Sequence, residues 1–208
     1  MTYLSATEYE SYGVESITPP NWITAASTIM EAYCRRDTLG VAQYTERIRI
    51  EPDRNTVRLS YLPLAVVAPG TTPVCSARGQ LALLRRGEWL RDDLAADIAL
   101  MFGVPGTWGD IDTSLIDFYE GTGELTLPVS AMGLGYSELE VTYTAGVDPI
   151  PDAVKVACAQ IVRNAQATPA LNVRAGMVDR MHLQYFSDNL IDSTVKSILA
   201  PFVAQKAG

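Results

Sequence analysis

The sequence predicts an α+β fold: a small helical bundle, an antiparallel β-hairpin or sheet, and an insertion in the middle of the chain. Three observations predict it. Apolar residues recur at helical period after Thr18, after Pro151 and again near the C-terminus. Alternation with period two runs through "YTERIRI", "NTVRLSY" and "SELEVTYTAG". The 208 residues are 48% hydrophobic and 19% charged, enough core material for one elaborated domain or two small ones.

The first helix is expected in "ITPPNWITAASTIMEAYCRR". Thr18 reads as its N-cap, and Pro19 or Pro20 suits the first turn, where a missing N–H costs nothing. Trp22, Ala25, Ala26, Ile29, Met30 and Tyr33 make one apolar stripe. Arg35 and Arg36 suit the C-terminal end of the helix dipole. Next, Ile48 and Ile50 oppose Arg47 and Arg49; Val57, Leu59 and Tyr61 follow the turn signal "EPDRN", which predicts a hairpin. "PLAVVAP" reads as a continuing buried strand. Residues of mixed periodicity follow, then the loop-like "GVPGTWGDIDTS".

Alternation returns in "GELTLPV" and again where Leu139, Val141 and Tyr143 oppose Glu138, Glu140 and Thr142. Val154, Ala157, Cys158, Ile161, Val162 and Ala165 form a second helical stripe, with small residues that let helices approach. "ATPALNVRAGMVDRMHLQYF" reads as an irregular connector. A closing amphipathic helix carries Ile191, Val195, Ile198 and Phe202 on one face, Asp192 and Lys196 on another, and Pro201 ends or kinks it. The segments are therefore 1–69 (helix and hairpin), 70–121 (insertion or lobe), 122–168 (strand, loop and helix) and 169–208 (connector and helical tail).

Composition narrows the function classes. A net charge of −8 argues against gripping nucleic acid through phosphate neutralisation, which needs a clustered basic face. Cys34, Cys75 and Cys158 form neither a CxxC pair nor a disulfide framework, so they read as reduced and mostly buried, consistent with a reducing site of synthesis. The N-terminus carries acids and no basic residue, unlike a secretory signal, and no apolar run is long enough to span a membrane. No cofactor or metal is expected: zinc needs three or four His/Cys ligands, and the glycine clusters "GTGELT" and "GLGYSE" lack the pattern of a phosphate cradle.

His182 is the only histidine, so any Ser-His-Asp or Cys-His set would have to be built on it; it reads as a surface or interface residue. Three acid pairs could serve a glycosidase or a hard cation: Asp92 with Asp93, Asp110 with Asp112, Glu138 with Glu140. The last pair sits on the polar face of an alternating strand, where solvated acids belong. Arg78, Arg85, Arg86 and Arg91 read as a helix face paired with Glu88, Asp92 and Asp93, or else as a patch for an acidic partner.

The sharpest junction is "VTYTAGVDPIPDAVKVA" from Val141. Gly146 relieves the backbone where the strand ends, Pro149 and Pro151 stiffen the crossing, Asp148 reads as a cap, and Asp152 favours the first helical turn. Gly146, Pro149 and Pro151 together read as a structural hinge.

The order of these features resembles the head–tail connector (adaptor, or head-completion) proteins of long-tailed bacteriophages. A lead-in "ATEYESYG", a helix ending "AYCRR", "YTERIRI…NTVRLSYLPL", "LEVTYTAG" and "IPDAVKVACAQIVRNA" carry the resemblance. It covers roughly residues 1–67 and 122–165, with Val141–Gly146 and Ile150–Pro151 as the recurrent signature. The resemblance implies a non-enzymatic virion protein, made in the host cytoplasm and placed in the neck between capsid and tail. Its implied partners are copies of itself in a ring, commonly of twelve, the portal protein above, and a tail, stopper or tail-terminator protein below. DNA would pass through the channel without sequence-specific binding, and no membrane is involved. The C-terminal segment would reach the portal through Leu190, Ile191, Val195, Ile198 and Phe202; packing of that helix within its own subunit is the alternative. A hydrolase or carbohydrate-binding module using the acid pairs of the middle segment, or another neck or tail-completion ring protein, stands as the other reading.

Overall fold

The computed structural model describes residues 2–51, 54–66, 72–82, 94–130, 134–167, 175–178, 181–184 and 190–205. In chain order its elements are α1 (Pro20–Cys34), β1 (Ala42–Arg49), β2 (Thr56–Arg58), β3 (Val74–Ala82), α2 (Leu94–Met101), β4 (Trp108–Ile111), β5 (Asp117–Tyr119), β6 (Glu124–Thr126), β7 (Gly135–Ala145), α3 (Asp152–Ala167), β8 (Ala175–Val178), β9 (Met181–Gln184) and α4 (Ser193–Leu199). The class is α+β, as the patterning predicts. The chain divides into two units, one built from residues 1–39 and 148–203, the other from 40–147 and 204–208.

In the first unit, α1 begins at Pro20 with Pro19 in the cap position, so Thr18 is not the cap. Thr18 is buried instead, and its hydroxyl accepts a hydrogen bond from Gln166 Nε2 at 3.3 Å. Arg35 closes the helix in the left-handed region at φ 56°, with its N–H on the Ala32 and Glu31 carbonyls. The buried side is Ile23, Ala26, Ser27, Met30 and Cys34. That is a rotation from the expected stripe: Trp22 and Ala25 are exposed. Apart from Glu31, both sides of α1 are apolar or neutral, so periodicity alone does not choose between them.

α3 buries Val154, Ala157, Cys158, Ile161 and Val162 as expected and adds Ala159, while Ala165 is only half-buried. Because Asp152 is the first helical residue, Asp148 lies too far upstream to cap it. α1 and α4 both pack on α3. Tyr3, Leu4, Tyr9 and Val14 join the same core. The polar lead-in is fastened by Lys155 to Glu8 at 2.5 Å and by the Tyr12 hydroxyl donating to Asp152 at 2.7 Å. The hydrogen bond from Lys155 holds the Glu8 carboxyl below the usual carboxylate range, and the same bond raises Lys155.

Part of the expected irregular connector is regular: β8 and β9 pair antiparallel, with Met177 opposite His182. The rest of the connector lies outside the described residues. The closing helix is shorter than predicted. Leu190 and Ile191 precede it, Asp192 caps it by accepting the Val195 N–H at 2.7 Å, and a 3-10 turn, Ala200–Phe202, ends it.

The second unit holds a four-stranded antiparallel sheet in the order β1-β7-β3-β4 and a three-stranded sheet in the order β2-β6-β5. The expected hairpin between β1 and β2 does not form. β1 pairs along its whole length with β7, from Ala42 opposite Ala145 to Arg49 opposite Glu138, while β2 pairs with β6. "PLAVVAP" contributes only an isolated bridge, Leu64 to Ala145, and its end lies outside the described residues. The middle segment is not an added lobe: β3 is an inner strand between β7 and β4, and the loop-like "GVPGTWGDIDTS" contains β4. The alternation does hold, since Leu139, Val141 and Tyr143 are fully buried with Ile48, Ile50, Val57 and Leu59 in one core.

One irregularity shapes that core. Ser137 is an extra residue on β7 opposite the Gln80–Leu81 step of β3, and its hydroxyl donates to Gln80. The bulge puts Tyr136 over Gly79, where an added Cβ would fall 2.7 Å from Cε1 and 2.8 Å from Cγ of the ring. Gly79→Ala is therefore expected to cost about 1–3 kcal/mol by overpacking, seen as a lower denaturant midpoint with an unchanged slope. A loss below about 0.5 kcal/mol would show that the ring has room to move.

Two of the three cysteines are buried as expected, but Cys75 is exposed on β3. Burial pushes the thiols of Cys34 and Cys158 from 9.0 up to about 11, and burial pushes the Tyr3 phenol from 10.0 up to about 12. Unfolding would let these groups deprotonate near their ordinary values. The unfolded chain thus binds fewer protons from about pH 9 upward, so stability is unaffected by them below that and falls as pH rises through 11 and 12. Two measurements check this. At pH 8 an aromatic disulfide reagent should label Cys75 quickly and the other two only on unfolding, and the denaturant midpoint should fall between pH 9 and pH 11. A flat midpoint, or three equally fast thiols, would contradict the burial.

Candidate functional site

The end of β7, "VTYTAG", is tied by several hydrogen bonds to the segments around Pro63 and Pro73. The Thr144 N–H donates to the Pro73 carbonyl at 2.9 Å, and the Ala65 N–H donates to the Thr144 carbonyl at 3.0 Å. The Thr144 hydroxyl donates to Ala65 O at 2.6 Å, and the Gly146 N–H to Pro63 O at 2.9 Å. Strand β7 is thus gripped at its exit from both sides. Gly146 has φ +125°, and a Cβ there would lie 2.5 Å from the carbonyl carbon of Gly40 and 2.8 Å from the nitrogen of Val41. No other residue type fits.

Just before this exit lies a polar network that the alternation pattern conceals. Tyr143 is fully buried; its hydroxyl donates to Glu46 Oε1 at 2.8 Å and accepts the Tyr61 N–H at 3.1 Å. Glu46 Oε2 accepts the Ser60 N–H at 3.3 Å. Burial raises the Tyr143 phenol far above its ordinary range, so it is a hydrogen-bond donor at any physiological pH. Tyr44 stacks on Tyr61 with ring centres 4.0 Å apart. The network fastens the loop after β2 to strands β1 and β7. Its signal was present in the sequence: Glu46 occupies an inward position between Tyr44 and Ile48, where an acid needs a partner.

Of the hinge residues, Gly146 belongs to the second unit and Pro149 and Pro151 to the first, and the chain passes between units at Val147–Asp148. The Asp148–Pro149 bond is cis.

The proposed portal contacts are used differently. Val195 is fully buried in the core of the first unit, and Leu190, Ile191, Ile198 and Phe202 are half-buried against that core. An apolar face on a helix so short is filled by packing on α3, so it is not a free docking stripe. The chain beyond it is also tied down, with the Gln205 N–H donating to Ser60 O at 2.9 Å.

Three members of the acid pairs are engaged: Asp110, Asp112 and Glu138. Asp110 pairs with Arg78 at 3.1 Å across β3 and β4. Asp112 accepts the Ser114 N–H at 2.9 Å and its hydroxyl at 2.7 Å, and the hydroxyl above all holds the carboxyl below its usual range. Glu138 accepts from Arg47 Nε at 2.6 Å, and the Arg47 guanidinium lies 5.0 Å over the Trp108 ring. Asp92, Asp93, Glu88, Arg85, Arg86 and Arg91 lie outside the described residues. Among the described residues no group of three or more His, Cys, Asp or Glu side chains could hold a metal ion, and no helix is long and apolar enough to cross a membrane.

Compared with known proteins, the sequence matches no family model and no curated protein.

Proposed function

We propose that the protein is a structural subunit of a tailed-phage neck: a head–tail adaptor that forms a ring under the portal and extends the DNA channel toward the tail. The observation that carries the reading is the fate of the residues behind the resemblance. "VTYTAG" is the exit of β7, an inner strand of the larger sheet, ending on a glycine that nothing can replace, and "IP" leads directly into α3, the helix on which α1 and α4 pack. A ring subunit needs such fixed connections, because a small error per copy accumulates around a closed ring. The charge of −8 fits a lumen that repels phosphate and lets DNA slide. Its neighbours in this reading are other copies, the portal protein, and a stopper or tail protein, all within the virion neck. With Val195 committed to its own core, a portal contact by this segment falls to the half-buried Leu190, Ile191, Ile198 and Phe202.

The test is assembly. Purified protein mixed with portal should add a ring below the portal in negative-stain images, and its mass by light scattering should exceed that of one chain when ringed or docked. A protein that stays monomeric and never joins a portal overturns the proposal.

A further inference from the structure

The larger sheet ends on β1 at one side and β4 at the other, and among the described residues no further strand pairs with either. The register shows where their outer backbone groups point. The Ile50 N–H donates to the Ser137 carbonyl at 2.8 Å, so Ile48 and every second residue back to Ala42 bond to β7. Gln43, Thr45, Arg47 and Arg49 alternate with these, and their N–H and C=O groups point away from the sheet. On the other side the Leu81 N–H donates to the Thr107 carbonyl at 2.9 Å, so Gly109 and Ile111 bond to β3. Trp108 and Asp110 therefore present their backbone groups outward. An edge of this kind is a template for another strand.

The two edges match each other in face, charge and direction. The Arg47 guanidinium lies over the Trp108 ring and Arg78 reaches Asp110, so the residues with outward backbone groups share the polar face of the sheet. On that face β1 offers Arg47 and Arg49 and no acid, while β4 offers Asp110 and no base. Arg49 is exposed and makes no ion pair among the described residues; the Asp110 side chain is 89% exposed. Each of the four strands runs opposite to its neighbour, so β1 and β4 run in opposite senses. A second copy in the same orientation brings its β1 antiparallel to this β4.

We infer that β1 of one copy pairs antiparallel with β4 of the next, Arg47 opposite Asp110 and Arg49 opposite Trp108, so that the sheet runs on from copy to copy. The pairing sets an ion pair beside a cation facing an aromatic ring. A foreign strand would satisfy one edge, whereas this chain carries both halves of the match. The joint also brings opposite charges together in a protein whose copies repel elsewhere at −8. It is short, since β4 spans four residues, so association should climb with concentration. Because β1 and β4 differ, the contact is head-to-tail, the kind that closes into a ring when the rotation per copy allows. The inference rests on the proposed function for that closure alone.

Amide exchange and a charge swap test it on the full-length protein. Where light scattering gives a mass above the 22.6 kDa of one chain, the amides of Arg47, Arg49, Trp108 and Asp110 should be protected, and dilution should open them. Ile48 and Gly109, bonded within their own copy, should be protected in both states. Arg47→Glu and Asp110→Arg should each weaken association by at least about tenfold with an unchanged circular dichroism spectrum. Both changes in one chain reverse the charges across every joint and should recover most of the loss. A mass of one chain at every concentration reached, edge amides that stay open in the assembly, or a double variant no better than the singles overturns the inference. A ring beneath the portal with open edge amides removes this contact and leaves the proposed function standing. Protected edge amides in a protein that ignores the portal do the reverse.

Discussion

Gly146→Ala is expected to destabilise the second unit by on the order of 3–5 kcal/mol, more than the loss expected for Gly79→Ala. Two separate costs meet there. At φ +125° the backbone occupies a region that residues with a Cβ rarely adopt, and the new methyl would collide with the Gly40 and Val41 backbone. Neither side can yield cheaply, because Gly146 is held by its hydrogen bond to Pro63 and Val41 leads directly into β1. The measurement is chemical unfolding of the variant beside Gly121→Ala, where an added Cβ meets open space. The control should change stability by less than about 0.5 kcal/mol. If Gly146→Ala loses less than about 1 kcal/mol, the exit of β7 is not the fixed point described above.

Tyr143→Phe should cost about 2–3 kcal/mol although it removes one oxygen. The ring volume stays, so no cavity forms. What is lost is the donor to Glu46 and the acceptor for the Tyr61 N–H, both part-buried. The acceptor is a carboxylate, and a hydrogen bond to a charged group is worth more than a neutral one. Combining it with Glu46→Ala, which removes the acceptor, separates the network from the rest of the ring's packing. The double variant should be more stable than the sum of the single losses implies, because both remove the same bond. Strict additivity would mean that Tyr143 acts through packing alone.

The parts of the fold legible in the sequence were those where one face is apolar and the other charged. β1 and β7 alternate cleanly, and α3 has a single stripe, so their buried sides could be read directly. α1 could not be oriented, since Trp22 and Ala25 lie on a neutral outer side that looks as apolar as the inner one. Strand pairing was the other failure. Proximity in sequence suggested that β1 and β2 meet, yet β1 pairs with β7 nearly a hundred residues on, and no local turn signal reports a pairing of that range. The candidate contacts on α4 are ambiguous in the sequence for a related reason. An amphipathic stripe says that a helix is covered on one side, and here the cover is its own unit. Glu46 shows what a closer reading can find: one acid on the inward side of a strand foretold a buried partner.

The division of the chain also sets an order of events during synthesis. Residues 40–147 form all but the last few residues of the second unit and are contiguous, so its sheets can assemble as they leave the ribosome. The first unit is split between the two ends, and α1 finds its partner α3 only after that whole sheet-bearing stretch has been made. Until then Ile23, Met30, Tyr3 and Leu4 have no core to enter. The nascent chain therefore carries an unburied apolar helix for most of its translation, and its yield should depend more on chaperones and growth temperature than its finished stability suggests.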